Sequence, residues 1–218
     1  MILTDQQIRE TSKRDDIFIE PFSDKQVQPA TYDLRVGNQG ATTSTKKIVD
    51  IKEKGYISLE PGDFGVVTVL EEIRMGLQYS ARFGLLSKYA KKGLIATTEP
   101  QIDPGYHGRL IVGITNLTPK PVSLPYKDDF ISVEFHRLEE PAKKPYSGQY
   151  QDKLELGAEE IEFIIESEGM ALSEVLTTMR SLSENVGKLA SEVKMIKWLV
   201  PIIVGFGIAV ISLIAALK

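Results

Sequence analysis

The sequence predicts a mainly β N-terminal domain, followed by an α-helical coiled coil and one transmembrane helix. Short β-rich runs between glycines and prolines extend from Phe18 to Phe135, which is typical of an antiparallel sandwich or barrel. A heptad repeat begins at Leu172 and leads into an uncharged apolar stretch, Trp198 to Leu217. At about 1.5 Å per residue, this stretch matches the roughly 30 Å hydrocarbon core of a bilayer.

The composition excludes several classes of function. The chain has 218 residues, no cysteine and two histidines, His107 and His136. Without cysteine there is no disulfide framework, no thiol catalysis and no sulfur-ligated zinc. The net charge is −4 and the sequence has no long basic run, so we expect no nucleic acid as a partner.

The elements of the β domain can be predicted in order. Thr4 followed by Gln7 is a capping pattern that predicts a short helix from Asp5. A second short helix or loop is predicted at Lys88–Lys92. The clearest strands are Tyr56–Leu59, Gly65–Leu70, Arg109–Thr115 and Phe130–Phe135.

The C-terminal part is acidic and helical after Pro145. Ile161 and Ile165 extend the heptad register backwards, and Glu168 with Gly169 interrupts it, which predicts a hinge. Both core positions of the heptad are apolar over more than three heptads. The residues are Leu172, Met179, Val186 and Val193 at one position, and Val175, Leu182, Leu189 and Ile196 at the other. A parallel coiled coil is the favoured interpretation, and a single amphipathic helix lying on the head is the alternative.

The apolar stretch at the end predicts a membrane anchor, with a buried helix of a soluble protein as the alternative. Lys188, Lys194 and Lys197 precede it, and the polar N-terminus lacks the features of a secretory signal. We therefore expect a single-pass membrane protein with its N-terminal head in the cytoplasm. The predicted segments are a head (1–151), an acidic linker (152–169), a parallel coiled coil (170–196) and a C-terminal anchor (197–218).

Three stretches of the head carry a family resemblance. They are Val27–Gly37 with Thr31-Tyr32-Asp33-Leu34-Arg35, Ala81–Lys88 followed by Gly93-Leu94, and Ile102–Gly108 with Asp103-Pro104-Gly105-Tyr106. In this order and spacing the head resembles the dCTP deaminase and dUTPase superfamily, closest to dCTP deaminase-like proteins. The resemblance implies a dUTPase-like β-clip, or distorted jelly roll, that forms homotrimers with nucleotide sites at subunit interfaces.

The resemblance also implies which residues bind a deoxynucleoside triphosphate. They are Asp33, Arg82, Gly84, Lys88, Gln101, Ile102, Asp103, Tyr106, Tyr146, Tyr150 and Gln151. Asp33 together with the triphosphate would hold Mg²⁺, although a strand-end cap explains an aspartate there equally well. Asp103 would orient a water in a dUTPase-like reaction, and its alternative is a plain turn residue.

The departures from the family pattern concern catalysis. Deamination needs a general base, and the family's glutamate aligns with Gly113, which has no side chain to accept a proton. Phe83 stands where a serine is usual, Ser87 aligns with a family arginine, and Gln101 replaces a basic residue. Glu99 is an alternative source of the missing acid.

The functional expectation is a membrane-anchored homotrimer that binds a deoxynucleoside triphosphate with reduced or lost catalysis, as a nucleotide sensor or effector. The first alternative is an active dCTP deaminase or dUTP diphosphatase in pyrimidine deoxynucleotide metabolism. The second is a structural β-clip trimer without nucleotide.

Overall fold

The computed structural model describes residues 1–97, 101–166 and 172–216, and it divides into two compact units, Met1–Ser173 and Glu174–Lys218. The helices of the first unit are α1 (Asp5–Lys13), α2 (Ile51–Lys54), α3 (Ser87–Ala90) and α4 (Ala158–Glu166). Its strands are β1 (Ile17–Glu20), β2 (Tyr32–Thr42), β3 (Val49–Asp50), β4 (Tyr56–Leu59), β5 (Phe64–Met75), β6 (Tyr79–Leu85), β7 (Leu94–Ala96), β8 (Gln101–Ile102), β9 (His107–Asn116), β10 (Val122–Pro125) and β11 (Asp129–Arg137).

The larger sheet is antiparallel in its pairings and runs in the order β7-β9-β5-β2-β11-β6-β8, with β1 also on β5 and β3 on β2. A smaller sheet pairs β4 with β10. Residues 32–35 of β2 pair with β11, whereas residues 36–42 pair with β3 and β5. β2 therefore joins the two halves of the sheet, and the predicted mainly β head is confirmed.

Strand β9 positions the site because its side chains alternate between two faces of the sheet. Val112 and Ile114 are fully buried in the main core, together with Leu34, Val67 and Phe130. The intervening positions of the strand, Arg109, Ile111, Gly113 and Thr115, line a cavity instead.

Helix α1 forms where the capping pattern predicts it. Gln7 Oε1 accepts a hydrogen bond from the backbone N–H of Thr4 at 3.0 Å, and Ile8 is buried in the core. This reciprocal cap satisfies a backbone N–H that the first helical turn leaves without a partner. The short helix predicted at Lys88–Lys92 is also present, as α3, but it begins at Ser87 and ends at Ala90.

Helix α4 lies within the predicted acidic linker and packs on the head. Ile164 is fully buried beside Ala41, Val66 and Leu156, and Ile161 packs against the same cluster. Ile165 is 49% exposed in the single chain, so the prediction that Ile161 and Ile165 share one heptad seam stays a prediction. The helix buries Ile161 and Ile164, which are three residues apart, because this side of the helix packs on the face of the sheet. The predicted hinge at Glu168 and Gly169 lies outside the described residues.

Helix α5 spans Leu172–Ala216 and includes Pro201. Those heptad side chains that the structure describes are exposed in the single chain: Met179, Leu182, Val186, Leu189, Val193 and Ile196. Among the residues searched, no helix has both the length and the apolarity of a membrane crossing. Most side chains of the predicted anchor, residues 197–218, lie outside the described part of the chain. The coiled coil and the anchor stay predictions.

Candidate functional site

A cavity of about 1060 Å³ lies on the outward face of β5 and β9. Its floor includes Phe64, Val66 and Gly113, and Val66 stands opposite Gly113 in the strand register. This volume is at the upper end of the range for small-molecule sites, roughly 300–1,000 Å³. The cavity therefore has room for a nucleotide-sized ligand.

The Asp-Pro-Gly turn forms one edge of the cavity between β8 and β9. The backbone N–H of Tyr106 donates to the carbonyl of Asp103 at 3.1 Å, and Gly105 has a φ of 83°. A Cβ at Gly105 would lie 2.6 Å from Pro145, so only glycine fits both the backbone conformation and the packing. The carboxylate of Asp103 lines the cavity and accepts a hydrogen bond from Gln101 Nε2 at 2.5 Å.

Residues 145–153, which we name the C-terminal strap, cross this turn and complete the cavity wall. The N–H of Tyr146 donates to the carbonyl of Pro104 at 2.8 Å, and the Tyr146 ring contacts Tyr106 edge-to-face. Gln151 Nε2 donates to the carbonyl of Gly105 at 3.2 Å. Tyr146 and Tyr150 thereby line the same cavity as Asp103.

His107 fastens the strap to the sheet. Its Nδ1 lies 2.6 Å from Asp152 Oδ1 of the strap, and its Nε2 lies 2.7 Å from Glu72 Oε1 of β5. These hydrogen bonds, first that of Asp152 and then that of Glu72, raise the pKa of His107. Only the imidazolium donates through both ring nitrogens at once.

We expect the strap to loosen as the pH rises through the raised pKa of His107. Because the folded pKa lies above the ordinary value, the stabilisation is complete below that ordinary value and is lost above the folded one. Amide exchange of residues 150–153, corrected for intrinsic rates, should increase as the pH rises above the ordinary histidine pKa of 6.5 and through the higher folded value. His107→Gln should remove this pH dependence, whereas His136→Gln should retain it. Equal profiles for the two variants would contradict the expectation.

Asp33 lies away from the cavity, on the neighbouring half of the sheet. It stands in register with Ser132 of β11, which in turn faces Gly84 of β6. The Oδ1 atom of Asp33 is buried without a hydrogen-bond partner in the described part of the chain, and burial raises the pKa of this carboxyl. An orphaned oxygen fits a role as a ligand, but the raised pKa opposes the charged form.

The described residues do not form a metal centre by themselves. Among residues 1–97, 101–166 and 172–216, no three His, Asp or Glu side chains are grouped to hold a metal ion. Mg²⁺ at Asp33 would thus depend on oxygens from a triphosphate and water for its other ligands. Lys88, the other residue predicted there, forms an ion pair with Asp128 at 2.8 Å.

The structure brings together about half of the predicted nucleotide-binding residues. The cavity is lined by Gln101, Ile102, Asp103, Tyr106, Tyr146 and Tyr150. Arg82 stands beside Gln101 in the β6–β8 pairing, so it adjoins this group, whereas Gly84 lies on the side of Asp33. Gln151 belongs to the strap, and its side chain bonds the backbone of Gly105 and His107.

Sequence reasoning missed several residues of the cavity. Arg109 could have been found, because it shares the face of Gly113 at an even spacing along β9. Its Nε atom is buried without a hydrogen-bond partner in the described residues. Glu159, Glu160 and Phe163 of α4 also line the cavity, and no local pattern predicts that a Glu-rich segment folds back on the head.

Gly113 contributes only backbone to the cavity. Its carbonyl accepts a hydrogen bond from the N–H of Thr97 at 2.8 Å. Glu99, the predicted alternative acid, lies outside the described residues. The carboxyl side chains that line the cavity in the described part of the chain are those of Asp103, Glu159 and Glu160.

The structure thus defines a mainly β domain with a ligand-sized cavity at its Asp-Pro-Gly turn. The dCTP deaminase-like family profile matches residues 2–138, and the chain belongs to this family. The dCTP deaminase of Thermococcus sibiricus is 36% identical over 151 residues, which cover 69% of this chain and 92% of that protein. The dCTP deaminase of Thermococcus kodakarensis is 38% identical over 151 residues, which again cover 69% of this chain and 92% of that protein.

One solved structure is similar in fold. The 2'-deoxycytidine 5'-triphosphate deaminase of Agrobacterium tumefaciens has a TM-score of 0.54 and 22% identity, covering 62% of this chain and 47% of that one. At this identity the likeness shows the fold.

Proposed function

We propose that the head binds dCTP in the cavity and deaminates it to dUTP and ammonia. The observation that carries the proposal is the match to proteins named dCTP deaminase over 92% of their length, at 36–38% identity. The family profile, which matches residues 2–138, includes the turn and the strand that build the cavity. In this reaction water adds to C4 of cytosine, so a general base must take a proton from the water.

We assign the general base to Asp103. Of the carboxylates that line the cavity in the described residues, Glu160 is held by Lys153 and by the N–H of Gly157. The side chain of Glu159 is 78% exposed. Asp103 is fixed by the turn, and the amide of Gln101 binds its Oδ1 atom, which leaves lone pairs for a water. Mg²⁺ would accompany the triphosphate and be held by phosphate oxygens and water, because Asp33 lies away from the cavity.

The direct test is turnover by the full chain. Incubation with dCTP and Mg²⁺ should release ammonia and dUTP. Chromatography of the nucleotides measures the conversion. Formation of dUMP and pyrophosphate from dUTP would instead identify a dUTP diphosphatase. No product from either nucleotide, with binding retained, would contradict both enzymatic functions.

The second candidate is a nucleotide sensor or effector without turnover, and Gly113 favours it. The position that should carry the base has no side chain, so dCTP would bind and stay intact. Binding at about 1,000 times Kd should stabilise the protein by about 4 kcal/mol. The absence of any such shift with the common deoxynucleotides would support a structural trimer.

Restoring a carboxylate separates the two candidates. If the base has been lost, Gly113→Glu should create deamination in a protein that otherwise has none, because the new side chain enters the cavity. If Asp103 is the base, the same variant should slow the reaction by crowding the site. Gly113→Gln is the matched control, since it adds the same volume without a base.

For the C-terminal part we propose a parallel trimeric coiled coil and a membrane anchor, with the head in the cytoplasm. The exposed apolar seam of α5 and the uncharged stretch after Lys197 support this arrangement. Light scattering of the detergent-extracted chain should give the mass of three copies. Recovery of the chain in the soluble fraction would contradict the anchor.

A further inference from the structure

Helix α4 brings negative charge to a cavity that, under the proposed function, receives a triphosphate. Residues 158–166 include four glutamates and no basic residue. Two of them, Glu159 and Glu160, line the cavity. The carboxylates of these glutamates would repel the phosphate groups of a bound nucleotide, because like charges repel strongly where little water separates them.

Two basic residues, Lys153 and Arg109, lie beside α4 or in the cavity wall. Lys153 forms an ion pair with Glu160, and its Nζ lies 3.6 Å from Glu159 and 5.6 Å from the ring centre of Tyr150 in the cavity wall. Arg109 lines the cavity with a buried Nε that lacks a hydrogen-bond partner in the described residues. The two cations come from adjoining backbone, because the N–H of Arg109 donates to the carbonyl of Lys153 at 2.9 Å.

The packing that holds α4 on the head is small. Ile164 is its fully buried side chain, and Ile161 is partly buried. Phe163 contacts Phe64 edge-to-face at 5.5 Å but remains 55% exposed. Elements with few buried apolar contacts open at low cost in free energy.

We propose that α4 is an acidic cover that competes with the nucleotide for Lys153. In the free protein Glu160 forms an ion pair with Lys153. A bound triphosphate takes Lys153 and Arg109 in its place, and α4 leaves the cavity wall. This regulation rests on the proposed function, because it requires a nucleotide in this cavity.

The test compares two glutamates of the same helix in the full chain. Glu160→Gln removes the charge that neutralises Lys153 but keeps an acceptor for the N–H of Gly157. Glu162→Gln is the matched control, because Glu162 is exposed and does not line the cavity. Calorimetry with dCTP should give roughly three- to tenfold tighter binding for Glu160→Gln. The control should stay within about twofold of the wild type.

Each outcome decides between the proposals. Unchanged or weaker binding by Glu160→Gln, while the wild type binds dCTP, overturns the competition and leaves the proposed function intact. Failure of all three proteins to bind dCTP overturns both. Hydrogen exchange gives a readout without mutation: saturating dCTP should speed exchange in residues 158–166. Slower exchange there would mean that α4 closes over the nucleotide, and it would overturn the inference.

Discussion

Replacement of Asp103 by asparagine is expected to lower dCTP turnover by about 10²- to 10⁴-fold, the usual contribution of a general base. Asparagine keeps the size of the side chain and its acceptor for Gln101, so the Asp-Pro-Gly turn should remain folded. The KM should change much less than kcat, because the substitution removes a group that acts on the attacking water. Steady-state kinetics on the full chain measure both parameters.

The matched control is Asp50→Asn. Asp50 caps α2 by accepting a hydrogen bond from the N–H of Glu53 at 2.9 Å, and it does not line the cavity. Asparagine caps helices about as well as aspartate, so this variant should turn over like the wild type. Asp103→Asn with near-normal kcat would refute Asp103 as the base and would move attention to Glu159 and Glu99.

The sequence contains enough local information to predict the head's class and its turn. Thr4 and Gln7 specify the start of α1 by a reciprocal hydrogen bond between neighbours in the chain. The Asp-Pro-Gly turn is equally local, since Gly105 supplies a positive φ that other residues rarely adopt. Features determined within a few residues of one another can be predicted from spacing alone.

Features that depend on strand order could not be predicted in the same way. Gly84 faces Ser132, and Ser132 faces Asp33, only because β11 lies between β2 and β6.

The position of α4 could not be predicted from local sequence either. Its glutamates read as a solvated linker, and Ile161, Ile164 and Ile165 fit several registers. Burial of Ile164 against Val66 selects one of them, and that contact spans nearly a hundred residues of sequence.

The buried ion pair of Arg35 and Glu71 is another long-range feature, and it supports the largest expected change in stability. Glu71 is fully buried; its Oε1 lies 2.6 Å from Arg35 Nε, and its Oε2 accepts the backbone N–H of Arg35 at 2.9 Å. Arg35 also donates to the carbonyl of Pro21 at 3.0 Å. Burial outweighs these partners and raises the pKa of Glu71.

Arg35→Met should therefore lower the free energy of unfolding by about 3–5 kcal/mol at neutral pH, because it leaves an uncompensated buried carboxylate. Urea unfolding followed by circular dichroism measures the loss. Since the pKa of Glu71 is raised in the folded state, a falling pH protonates it there first. The loss of unfolding free energy in Arg35→Met should therefore shrink as the pH falls through the folded-state pKa of Glu71.

Arg74→Met is the matched control for this prediction. Arg74 pairs with Asp15, but both side chains are about half exposed, so its loss should cost no more than about 1 kcal/mol. The double variant Arg35→Met/Glu71→Gln should recover much of the stability, because it removes the charge as well as its partner. If Arg35→Met costs no more than Arg74→Met at neutral pH, Glu71 has access to water or to another cation, and the buried pair does not hold β2 against β5.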